Sequence, residues 1–138
     1  MSWTFYALTS ALAAAATAVL AKLGVAGVPS NLAVAVRTSV VLVFAWAIAL
    51  ATREQGAFAQ LTPRALVFLI ASGLATGVSW LAYFKALSLA PASRVAPLDK
   101  LSLALTIVLA AVVLREPLTW KLVVGDTQMV AGALLTVH

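Results

Sequence analysis

Cysteine is absent from this sequence, and its one histidine, His138, is the final residue. Disulfide staples, thiolate nucleophiles and Cys/His metal sets are excluded on composition alone. The acidic residues are four in number, Glu54, Asp99, Glu116 and Asp126, well separated along the chain. Charged residues make up 9% of the 138, where a soluble domain carries roughly 25%. A surface so poor in charge faces something other than water. No nucleophile-plus-base spacing, metal-ligand cluster or phosphate-cradling glycine loop is present. The sequence is therefore expected to need no cofactor and no metal and to be no enzyme.

What the chain has instead is apolar sequence, 64% of its residues, gathered into five runs at about 3–25, 32–52, 63–87, 92–114 and 118–137. A bilayer-crossing helix needs about 20 mostly apolar residues, and each run is close to that length. The expected fold is all-α, a five-transmembrane-helix bundle forming one domain over 1–138. The expected surroundings are the lipid bilayer of the cell (inner) membrane, crossed several times. No basic residue precedes the first run and four more follow it, so it reads as a span rather than a cleaved signal peptide.

Local punctuation supports the runs. Ser30 or Asn31 is placed to cap the second and Ser93 the fourth, while Pro63 suits the first turn of the third. Gly73 and Gly77 would let another helix approach the third run closely. Loops this short make neighbouring spans antiparallel, and five spans leave the termini on opposite sides.

The nine basic residues exceed the acidic ones by five. Most flank apolar runs, which fits membrane-edge anchoring rather than phosphate backbones, so no nucleic-acid partner is expected. With the N-terminal side named X, that side receives Arg53, Arg64, Arg115 and Lys121. The other side, Y, receives Lys22, Lys85 and Arg94, with Arg37 and Lys100 lying inside spans nearer to Y. So small a bias leaves both orientations open to insertion. Two oppositely inserted copies would form an antiparallel homodimer, the inverted-repeat design of many secondary transporters.

The charges inside the spans are the candidate site, because each is costly in lipid. At about 1.5 Å of rise per residue, Asp99 and Lys100 lie roughly 10–12 Å below side Y, and Arg37 roughly 8 Å. Trp80 and Tyr83 fall roughly 6–11 Å below the same surface. Asp99 and Lys100 are about 100° apart on a helix, so they cannot share one partner, and Asp99 is expected to pair with Arg37. Asp99, Ser102 and Thr106 share one helical face. Two readings stand side by side. In one, the charges fix helix packing, Lys100 snorkels to side Y and the aromatics are interfacial. In the other, they line a polar cavity in which Trp80 or Tyr83 stacks on an organic or cationic substrate. Pro97 favours the second, since broken backbone at that depth lines cavities. Asp126, roughly 12 Å from side X, is either a proton or cation site or an interhelical clamp.

The run from Tyr83 to Gly125, with its Ala-Pro turn, Pro-Leu-Asp-Lys-Leu-Ser segment and Arg-Glu-Pro-Leu-Thr-Trp loop, resembles the repeat unit of the drug/metabolite transporter superfamily, EamA type. The ending Val130–Leu135 is similar too, and Arg37 falls where such repeats have an arginine. The resemblance implies a five-helix half of a ten-helix fold of inverted repeats, and hence a homodimer similar in principle to the small multidrug resistance transporters. It departs at Asp126-Thr127-Gln128, where the family is usually apolar. It also lacks the membrane glutamate of those small transporters' first helix. The function implied is secondary-active transport or export of small metabolites or organic cations by alternating access. The competing expectation is a membrane subunit needing a different partner, as in a heterodimeric transporter or a lipid-carrier flippase.

Overall fold

Residues 2–136 are described by the computed structural model, and among them every regular element is helical. Val137, at the end of the fifth expected run, and His138 lie outside the described residues. In chain order come α1 (Trp3–Gly24), α2 (Ser30–Ala51), a short 3-10 helix (Glu54–Gln60), α3 (Pro63–Leu89), α4 (Ala92–Asp99), α5 (Leu101–Val113) and α6 (Trp120–Leu135). Four stretches are long and apolar enough to cross a membrane: α1, α2, α3, and α4 with α5 taken together as Ala92–Val113. The fifth expected run holds the 16 residues of α6, roughly 24 Å of helix against about 30 Å of hydrocarbon.

The helix starts differ from the expected caps. Neither Ser30 nor Ser93 caps by its side chain; Pro29 and Pro91 hold the N-cap positions. Proline does this because its ring presets φ, here −55° and −62°, while ψ stays extended. The Pro91 carbonyl then accepts from the N–H groups of Arg94 and Val95 at 3.0 and 3.1 Å. α3 and α6 begin as the rules for serine and threonine would have it, the Thr62 hydroxyl accepting from the Ala65 N–H and the Thr119 hydroxyl from the Leu122 N–H. Two helices end at arginines in left-handed backbone, Arg53 (φ 58°) and Arg115 (φ 57°). Both stand at the helix end where glycine is the cheaper residue.

The chain divides into two compact units, Leu23–Ser88 and Met1–Lys22 with Leu89–His138. In the second of these, α6 packs on both α4 and α5. There the Lys22 ammonium, at the end of α1, donates to the Ala90 carbonyl at 2.9 Å. That carbonyl stands in the turn before Pro91, where no helical N–H can reach it.

Burial is scarce. Among the described residues the buried apolar side chains are Ala21, Val25, Val34, Phe84, Leu87, Val95 and Ala133. Leucines, valines and phenylalanines elsewhere are mostly uncovered, which in water would be an aggregate and in lipid is the ordinary condition of a helix. A Cβ added at Gly73, Gly77, Gly125 or Gly132 would meet no atom within 4 Å. The close approach expected at Gly73 and Gly77 is thus not made among the described residues.

Candidate functional site

The most closely built group lies in the Leu23–Ser88 unit. Arg37, in the second turn of α2, is half-buried on the helix face that also carries buried Val34. Its guanidinium carbon stands 3.2 Å from the centre of the Trp80 ring and 5.9 Å from that of Phe84. A carbon this near a ring centre places the guanidinium flat against the indole, with its face used and its N–H edge pointing away from the ring. Trp80, Tyr83 and Phe84 form one ring cluster on α3, with centroids 5.9–6.5 Å apart. Edge-to-face packing of this kind fixes ring orientation better than aliphatic contacts do. Leu87, fully buried, continues the same face one turn on.

The sequence reading named Trp80 and Tyr83 but not Phe84, although Phe84 is among the most buried residues of the chain. The signal was there: positions 80, 83, 84 and 87 are the i, i+3, i+4, i+7 stripe of one helical face.

In the other unit, the Ala92–Val113 run is broken at Lys100. Pro97 has no N–H to continue the ladder, and the turn tightens so that the Lys100 N–H donates to the Pro97 carbonyl at 3.0 Å. Lys100 Nζ then lies 3.8 Å from Asp99 Oδ2, with 54% of the lysine side chain and 39% of the aspartate uncovered. Consecutive residues that could not share a partner have become each other's partner. Asp99 and Arg37, expected to pair, each have a companion within their own unit: Lys100 for the one, Trp80 for the other. Ser102 stands in the first turn of α5, and its carbonyl accepts from the Thr106 hydroxyl at 2.8 Å. The polar stripe of that face is therefore partly turned back onto its own backbone.

Asp126 sits mid-way along α6, and its Oδ1 is buried with no hydrogen-bond partner among the described residues. Neighbouring Thr127 is satisfied locally by the Val123 carbonyl at 2.8 Å. No group of three or more His, Cys, Asp or Glu side chains is gathered among the described residues.

The model of the EamA-like transporter family matches residues 1–138, the whole chain. The chain belongs to the EamA-like transporter family. A Sinorhizobium sp. protein described as an uncharacterized transporter in the cobO 3' region is 48% identical over 134 residues, covering 97% of this chain and 95% of that one. No solved structure matches the chain. Membership of the EamA-like family makes this a membrane transporter with several apolar helices, and points to transport rather than to catalysis.

Proposed function

We propose that this EamA-like protein is a secondary-active transporter or exporter of small metabolites or organic cations, working by alternating access. It acts as one transmembrane domain of five spans in the cell (inner) membrane, paired with a second, inverted copy of itself. The observation that carries the reading is the break at Asp99–Lys100 inside a run otherwise long and apolar enough to span. Irregular backbone at membrane depth is stable only where protein buries it or water lines it, and transporters place substrate sites at such interruptions. The candidate translocation residues are Asp99, Lys100 and Ser102 in one unit, with Asp126 there as the coupling or clamping carboxylate, and Arg37, Trp80 and Tyr83 in the other.

A fifth span requires α6 to cross. At roughly 24 Å it does so with Leu118 and Thr119 added, or where the bilayer thins around it, at a cost of fractions of a kcal/mol per Å. The uncovered faces at Gly73, Gly77, Gly125 and Gly132 supply small-residue surface for the second copy.

Two measurements test this. Purified protein in liposomes should accumulate or release a substrate without any other polypeptide. Single cysteines at Gly56 and Ser93, in a chain that has none of its own, should each be labelled in about half the molecules by an impermeant thiol reagent if both orientations insert. Full labelling of one and silence of the other would fix the orientation. That result would favour a partner subunit of different sequence.

A further inference from the structure

We propose that Arg37, held flat on Trp80, is the substrate-binding cation of the transport site, and that the substrate is a monocarboxylate with a small apolar body rather than an organic cation. The inference rests on the transport reading above and narrows it.

An aromatic face is what recognises an organic cation, and here the Trp80 face is already covered by the protein's own guanidinium at 3.2 Å. A positively charged substrate would have to displace that guanidinium or stack beside it against like charge. Stacking neutralises neither the charge of Arg37 nor its N–H donors. It uses the planar face and leaves the edge, the fork that grips a carboxylate with two parallel hydrogen bonds.

Within the Leu23–Ser88 unit nothing else answers that charge. Its one carboxylate is Glu54, 17 residues from Arg37 and past the end of α2, roughly 25 Å along the helix. A fixed cation in an apolar wall, without an anion in its own unit, is a place for a mobile anion.

The same count limits the anion to one negative charge. Arg53 and Arg64 belong to the far ends of α2 and α3, and Lys85 is five residues from Trp80, about 140° around the helix. Within its own unit, one guanidinium therefore stands alone beside the ring. A phosphate dianion would want a second cation, and a carboxylate does not. The half-buried ring of Tyr83, next to Trp80, offers the apolar body of the substrate its contact.

The test uses the full chain with Trp3, Trp46 and Trp120 changed to Phe, so that emission reports Trp80 alone. Benzoate, benzyl alcohol and benzylammonium, alike in shape and differing in charge, are titrated in phosphatidylcholine nanodiscs. Benzoate should change the emission saturably, and the neutral and cationic analogues should not. Arg37→Lys should weaken benzoate at least tenfold, and Arg37→Gln should abolish the response. A saturable response to benzylammonium without one to benzoate, or to none of the three, overturns the proposal. Phosphatidylglycerol added to the nanodiscs separates the sources of the anion. If it shifts Trp80 emission by itself and blocks benzoate, Arg37 holds a lipid headgroup and the soluble-substrate claim falls. Transport is read separately, by flux in liposomes: flux of cations alone would keep the transport reading and sink this one.

Discussion

Two cations sit inside the apolar helices of this protein, and they are accommodated in opposite ways. Arg37 lies against rings, its guanidinium flat on Trp80 and half-buried. Lys100 leans on the carboxylate beside it across 3.8 Å, with about half of the lysine and over a third of the aspartate uncovered. The difference follows from the side chains. A guanidinium has a weakly hydrated face that stacks and an edge that donates, so it can be packed and still bind. An ammonium is a compact, strongly hydrated charge, which is held by a counter-ion or by water. Arg37 is thus a rigid element of a wall, whereas Asp99 and Lys100 mark a break in a helix that needs water or a second protein surface to be tolerated.

The hardest way to break this comparison is to remove the exposed pair. Asp99→Asn and Lys100→Ala are each expected to reduce flux to that of empty liposomes while the proposed dimer survives gel filtration. Unaltered flux in either would take the pair out of the pathway and leave it a packing device. Retained flux with a lost dimer would move it to an interface.

Asp126, in α6, sharpens the contrast, because among the described residues it has neither ring nor counter-ion. Asp126 Oδ1 is buried without a hydrogen-bond partner among the described residues, and an unsatisfied buried acceptor costs about 1–3 kcal/mol. Asp126→Leu should therefore leave the fold intact and raise the unfolding temperature by several degrees. If the dimer is instead lost, Asp126 finds its partner on the second copy and is a clamp. Raised stability with abolished flux would make it the coupling carboxylate, kept at the expense of stability.

The sequence made the apolar runs legible because length and composition alone decide whether a helix can cross lipid. It made the charged positions legible for the same reason, since any charge within such a run stands out. It could not show their partners. Helical geometry placed Asp99 and Lys100 on different sides of a straight helix. The turn following Pro97 tightened, and the two became neighbours. It offers Arg37 a carboxylate across helices, because opposite charges are the obvious remedy in lipid, and spacing alone does not show that the Trp80 ring lies against its guanidinium. Phe84 was passed over because phenylalanine in a membrane helix carries no compositional signal, only a periodic one. The caps failed for a local reason: Pro29 and Pro91, just ahead of the serines, already hold the backbone where a cap is needed.

The smallest expected effect is also the one that reports the surroundings of each cation. A double-mutant cycle between Arg37→Gln and Trp80→Leu, read by reversible unfolding in detergent micelles, should give a coupling of about 0.5–2 kcal/mol, the range between exposed and desolvated cation–π contacts. The same cycle between Asp99→Asn and Lys100→Gln should give less, about 0–1 kcal/mol, provided water reaches the pair. In lipid the ordering reverses, because unscreened opposite charges at 3.8 Å attract far more strongly than a cation and a ring quadrupole. A larger coupling for Asp99–Lys100 than for Arg37–Trp80 would thus place the broken helix against hydrocarbon and remove the aqueous pathway from it. A smaller one leaves the break bathed in water, which is what a substrate route through α4 and α5 requires.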